Sequence, residues 1–221
     1  MLIVTVVFVQ KFKMKGVVPL MILINGAFGV GKSTTAQALH ARIANSMIYD
    51  PEEVGYLLRN ILVPSGIEAT GDFQHNKLWP TLTIEVARQL RAQYQRTLIV
   101  PMTFGFPEYF RQIKAGFAAF EPIIYHFCLM ASQTTIHQRL AERGDPADSW
   151  SYQQTARCLA AFELPEYREY IDTELHSPAQ VVDLILDHLK ISSPFQPALS
   201  IGTGLQQRLI RPMAANISGH K

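Results

Sequence analysis

Charge is scarce in this chain and nearly balanced: 20 lysines and arginines face 18 aspartates and glutamates, a formal net charge of +2 over 221 residues. This excludes the broad basic footprint of a nucleic-acid-binding domain, so any basic surface has to be local. Cysteine is scarcer still. Cys128 and Cys158 are the only two, each inside an apolar periodic stretch. That fits reduced core thiols in a cytoplasmic protein rather than a disulfide framework, and neither reads as a nucleophile. His75, His126 and His137 show no ligand spacing with the cysteines or with one another, so no zinc site is expected. Long apolar runs are missing too. The stretch Leu2 to Val9 is far too short to span a bilayer, and Lys11, Lys13 and Lys15 follow it, the reverse of a secretory signal.

The length suits one well-buried domain. Residues 1–20 read as an accessory extension, with Met21 an alternative start; an extra edge strand or a weak membrane-surface contact is the other reading. Residues 21–190 form the domain, and residues 191–221, without sustained periodicity, a loose tail.

Within the domain, strand and helix patterns alternate. Short apolar runs at residues 21–25 (MILIN), 46–50 (SMIYD), 97–103 (TLIVPMT), 122–130 (PIIYHFCLM) and 169–173 (EYIDT) read as strands. Helical spacing covers residues 32–44, 51–62, 79–95, 107–120, a Ser- or Thr-capped helix ending at Gly144, 151–163, and 177–190. Residues 64–76 are rich in turn formers and read as an irregular link. The expected fold is α/β: a three-layer arrangement with a mostly parallel five-stranded sheet and helices on both faces. Ligands in such sheets bind beyond the carboxyl ends of the strands, where the first loop and Asp50 both fall.

That first loop, GAFGVGKS at residues 26–33, is the strongest signal. Glycines allow backbone N–H groups to converge on phosphate oxygens, and the helix that follows adds the partial positive charge of its N-terminus. Lys32 would reach the β and γ phosphates of ATP, and the Ser33 hydroxyl would ligate Mg2+. Asp50, 17 residues after Ser33 at the end of the next strand, can accept a hydroxyl proton, hold Mg2+ through water, or cap the Pro51 helix. TLIVPMT ends without a Walker B acid: Thr103 stands there. This disfavours a motor or switch NTPase and shifts the metal and base duties toward Asp50. Arg139 and Arg143, four apart, share a helix face beside a polar loop, either as phosphate-neutralising lid arginines or as a solvated face paired with Glu142 or Asp145. Candidates for an acceptor pocket are Arg59, Asp72, Phe73, Gln74, Trp79, Thr103 and Tyr109, with Phe73 and Trp79 more at home in a core than against a ligand.

The stretches GAFGVGKST, YDPEEVGYLLR, DFQHNKLW, LIVPMTFGFPEYF and HFCLMAS, in this order over residues 21–165, resemble the tunicamycin resistance protein family of bacterial P-loop proteins. IDTELHSPAQVVDLIL is similar to the last strand and helix of small-molecule P-loop kinases. The resemblance implies an ATP-binding, kinase-like protein associated with resistance to a uridine-like nucleoside antibiotic. It implies that Gly26, Ala27, Phe28, Gly29, Val30, Gly31, Lys32, Ser33 and Thr34 bind ATP. Asp50 takes the place of the acid after the second strand, and Arg139 and Arg143 match the lid arginines. Tyr49-Asp50-Pro51 and Asp72-Phe73-Gln74 line the acceptor side. Two functions compete: transfer of a phosphoryl group to a nucleoside-like hydroxyl, or sequestration of the antibiotic with ATP as a conformational ligand.

Overall fold

A computed structural model describes residues 19–67 and 72–189. The expectations for the N-terminal extension through residue 18 and for the tail from residue 190 lie outside the described residues.

MILING is apolar at almost every position rather than alternating, the pattern of a strand covered on both faces. It forms β1 (Met21–Gly26), the central strand, and Met21 through Ile24 are fully buried. α1 (Lys32–Arg42) leads to β2 (Ser46–Ile48), then α2 (Pro51–Leu62), a single 3-10 turn at Phe73–His75, α3 (Leu78–Tyr94) and β3 (Thr97–Met102). α4 (Pro107–Ala118), β4 (Ile124–Met130), α5 (Gln133–Arg143), α6 (Trp150–Phe162), a second 3-10 turn at Pro165–Tyr167, β5 (Tyr170–Asp172) and α7 (Pro178–His188) complete the order. The five strands run β2-β3-β1-β4-β5, and every pairing is parallel.

Local chemistry sets the helix starts. Asp50 precedes Pro51 and its Oδ1 accepts the Glu52 N–H at 2.9 Å, which places α2 on its expected span. Ser132 caps α5, whose last turn closes on Gly144 at φ 91°. Ser177 and Gln180 form a reciprocal capping box on α7. α1 stops at Arg42, two residues short of the expectation, because Ile43 is extended and Asn45 turns left-handed at φ 56°. β2 is likewise shortened to the three residues that pair with Thr97–Ile99, so Tyr49 and Asp50 form its exit.

α3 packs on α4 and α1 on α7; right-handed crossovers put these pairs on opposite faces. With all strands parallel, Gly26, Asp50, Thr103 and Asp172 emerge along one edge of the sheet. Asn25 ties that edge together: its Oδ1 accepts the Phe104 N–H at 2.9 Å, joining the end of β1 to the chain leaving β3.

Candidate functional site

The loop between β1 and α1 is built around backbone conformations that only glycine adopts easily. Gly26 sits at φ 147°, and a Cβ there would lie 2.6 Å from the Leu129 carbonyl oxygen. Gly31 sits at φ 107° with nothing within 4 Å of a would-be Cβ, so it faces open space at the start of α1. Lys32 donates its Nζ hydrogen to the Ala27 carbonyl at 2.9 Å and lies 5.3 Å from the Phe28 ring centroid. Burial holds its pKa below the usual lysine value. Ser33 and Thr34 are exposed in the first turn of α1. A desolvated ammonium resting on one neutral carbonyl, beside Gly31, which leaves room at the N-terminus of α1, fits a polyphosphate. The exposed Ser33 hydroxyl and the Asp50 carboxylate supply the hard oxygen donors that Mg2+ prefers.

Across the loop stand two carboxylates. Asp50, half-buried at the exit of β2, has its carboxyl pushed up to about 7, first by burial and then by the charge of Glu52. Glu52 accepts the Tyr56 hydroxyl at 3.0 Å. Among the acids, Glu52 acts more strongly on Lys32 than Asp50 does, and its charge also reaches Arg143. Two cations and two carboxylates thus share one field. Among the described residues, no group of three His, Cys, Asp or Glu side chains comes together as a metal site.

Arg139 and Arg143, one turn apart on α5, part company. Arg139 donates from Nη1 to the Thr173 hydroxyl and from Nη2 to the Thr173 carbonyl, both at 2.8 Å, bracing the chain after β5. Arg143 holds Asp145 bidentately through one guanidinium edge, Nε donating to Oδ1 at 2.8 Å and Nη2 to Oδ2. Phe28 of the glycine loop packs edge-on against Trp150 at 5.0 Å, linking the loop to the start of α6.

On the acceptor side, most of the expected residues are buried. Tyr49 donates its hydroxyl to the Thr83 carbonyl at 2.9 Å, and Trp79, fully buried, donates Nε1 to the Pro51 carbonyl at 3.0 Å. Phe73 lies between Tyr56, which it meets edge-on, and Trp79, which is tilted against it, with ring centroids at 5.8 and 5.6 Å. Phe73 and Trp79 thus take the core position that the sequence also allows. Gln74 and Thr103 are buried as well. Gln74 donates Nε2 to the Thr103 carbonyl at 3.2 Å, which fixes its amide orientation, and both Gln74 Oε1 and Thr103 Oγ1 lack a partner. Asp72, half-buried, caps the turn by accepting the Gln74 N–H at 3.0 Å, and Arg59 lies 5.3 Å from the Tyr56 ring centroid. Tyr109 is half-buried against Phe106.

This wall depends on Gly55, where a Cβ would fall 2.2 Å from the Phe73 ring. Gly55→Ala is expected to lower stability by about 1–3 kcal/mol and to weaken acceptor binding several-fold, with nucleotide affinity unchanged within twofold. Thermal unfolding and two ligand titrations check this. A variant as stable as the parent would show that the ring is not seated tightly on the glycine.

Four participants carry no sequence signal that marked them. Glu52 reads as an ordinary acid in a first helical turn, and Tyr56 as one more position of an amphipathic helix. Phe106 and Arg157 meet only in the fold, where the Arg157 guanidinium lies 3.9 Å from the Phe106 ring centroid.

A protein-family profile described as an AAA domain matches residues 21–165. Among solved structures, the tunicamycin resistance protein of Deinococcus radiodurans is 28% identical, with a TM-score of 0.66 over 81% of this chain and 99% of that one. A sugar kinase from a Janibacter species (18% identity, TM-score 0.58, 81% of this chain and 99% of that one) and a gluconokinase from Sinorhizobium meliloti 1021 (18%, 0.56, 78% and 93%) share the fold. No curated protein sequence is a significant match. The resemblance to the tunicamycin resistance proteins therefore extends to three dimensions. The glycine loop, the all-parallel sheet and the profile covering most of the domain agree: the chain belongs to the AAA domain family and is a P-loop, kinase-like protein.

Proposed function

We propose that this chain is an ATP- and Mg2+-dependent phosphotransferase acting on a hydroxyl of a small nucleoside-like molecule, in the setting of resistance to tunicamycin-type antibiotics. The observation that carries the reading is the convergence of Lys32, Asp50 and Glu52 beside a glycine loop open to a ligand, with Thr103 where a Walker B acid would stand. The antibiotic class is supported by the Deinococcus neighbour, named for tunicamycin resistance. ATP as donor suits a cytoplasmic setting. Among the described residues no helix is long and apolar enough to cross a membrane.

ATP with Mg2+ would supply the phosphoryl group, held by the loop amides of residues 26–34 with Ser33 and Asp50 as oxygen ligands. Lys32 exchanges the Ala27 carbonyl for phosphate oxygens, a gain because its present partner is neutral. Asp50 keeps Oδ1 on the Glu52 N–H and leaves Oδ2 for a metal-bound water or the acceptor hydroxyl. Glu52, oriented by Tyr56, is the second carboxylate able to take the hydroxyl proton. Arg143 has to leave Asp145 to neutralise charge in transfer.

The test is direct. Incubation with ATP, Mg2+ and a panel of nucleosides and nucleoside antibiotics, followed by mass spectrometry of the small molecules, is expected to show an acceptor gaining one phosphoryl group, about 80 Da. Normal ATP binding with every acceptor unmodified would remove the kinase reading and leave sequestration.

A further inference from the structure

Arg157 is held more firmly than a surface arginine needs to be. Its Nη1 donates to the Gly105 carbonyl at 2.8 Å, its Nε donates to Gln154 Oε1 at 2.7 Å, and its guanidinium lies 3.9 Å from the Phe106 ring centroid. Gly105 has no room for a side chain, since a Cβ would fall 2.9 Å from Cys158 Sγ and 3.2 Å from Arg157 Nη1. α6 is therefore pressed against the chain leaving β3, and the guanidinium is fixed in place. Every one of these partners is neutral. Among the described residues no carboxylate lies within 4.0 Å of this half-buried cation, and Nη2 has no hydrogen-bond partner.

The surroundings are those of the acceptor side. Phe106 meets His75 at 4.6 Å, so the arginine's platform touches the turn that carries Asp72 and Gln74. The thiol of Cys158, next to Arg157 on α6, is pushed up mainly by burial and pulled back by the charges of both Arg157 and Lys32. Asp72 also acts on that thiol, but its Oδ1 already accepts the Gln74 N–H, and it is outside ion-pair distance of Arg157.

A cation fixed in geometry, partly desolvated and without a counter-charge gains most from a charged acceptor of hydrogen bonds. We infer that Arg157 is an anion-binding residue of the acceptor site, taking a carboxylate or phosphate oxyanion carried by the acceptor. The inference rests on the reading of this space as the acceptor side.

The experiment uses the full-length protein, labelled with 15N and saturated with Mg2+ and a non-hydrolysable ATP analogue so that the glycine loop is filled. Methylphosphonate and acetate are titrated separately. The Arg157 Nε–Hε resonance, assigned through bonds and identified by its absence from Arg157→Lys, is expected to shift saturably with a Kd of about 1–20 mM for at least one probe. Phe106 amide shifts in Arg157→Lys are expected to need at least about tenfold more probe, since a lysine lacks the planar fork. Saturation by methylphosphonate alone indicates a phosphorylated acceptor and by acetate alone a carboxylate; either supports the proposal. No shift of the Arg157 resonance with either probe at 50 mM, or an unchanged titration in Arg157→Lys, overturns it. Binding of the ATP analogue is read from glycine-loop resonances, so its failure counts against the phosphotransferase reading and leaves the Arg157 result standing on its own.

Discussion

Replacing Lys32 with methionine is expected to leave a folded protein whose phosphoryl transfer has fallen by about a thousandfold or more. In the proposed reaction the ammonium would follow charge onto the transferring phosphoryl, and it feels the carboxylates beside the loop, Glu52 first. Stability should move little, or upward. Folding strips the ammonium of water and returns one hydrogen bond to the Ala27 carbonyl, so the folded state holds it at a cost, visible as a lowered pKa. Methionine removes that cost and keeps the stem's packing. Transfer from γ-labelled ATP, read beside thermal unfolding, checks both halves. Activity retained within tenfold would mean that the loop binds nucleotide without taking part in transfer.

Asp50→Asn is expected to separate activity from stability in opposite directions. Asparagine keeps an oxygen to cap α2, so the Glu52 N–H retains its partner, while the carboxylate proposed as base or metal ligand is gone. Loss of transfer of about 10²–10⁴-fold follows. The parent's kcat/KM should rise with pH and level off above about pH 7, where the Asp50 carboxyl is ionised. For stability the sign is set by a folded-state pKa raised above that of the unfolded chain. Between about pH 4 and pH 7 the folded protein keeps a proton that the unfolded chain has released, so the cost of holding this carboxylate is absent below that window and complete above it. Asp50→Asn should therefore be the more stable protein at pH 8, by on the order of 2 kcal/mol, about half the full linkage value because the group keeps some solvent contact. The two proteins should converge near pH 4. Unfolding curves at pH 4, 6 and 8 check this, and equal stability at every pH would show that the site does not hold Asp50 under electrostatic strain.

What was legible in the sequence was legible for local reasons. GAFGVGKS announces its conformation through glycines that have to take positive φ, and Asp50-Pro51, Ser132, Gly144 and Ser177-Pro178 mark helix ends because capping is a contact between near neighbours. The all-parallel sheet follows from apolar runs that do not alternate. The acceptor wall was not legible in this way, because its residues are set by packing across distant segments. Tyr49 and Trp79 are held where they are by backbone carbonyls at Thr83 and Pro51, partners that lie 34 and 28 residues away. Arg139 and Arg143 share a helix face in sequence, but Thr173 captures the one and Asp145 the other. Glu52 points into the cation field only because β2 delivers Pro51 to the edge of the sheet, a tertiary fact that two adjacent acids cannot announce. Arg157 looks like a solvated helix position until Gly105 brings the β3 exit against α6.

Label transfer in a single turnover tests the central claim most directly, with the parent and Asp50→Asn compared under conditions where both bind ATP and the nucleoside antibiotic. Label from γ-labelled ATP is expected to appear on the antibiotic with the parent and to fall at least about a hundredfold with Asp50→Asn. Both ligands bound tightly by the two proteins, with no label reaching the antibiotic in either, would contradict it and make the site a trap for the drug.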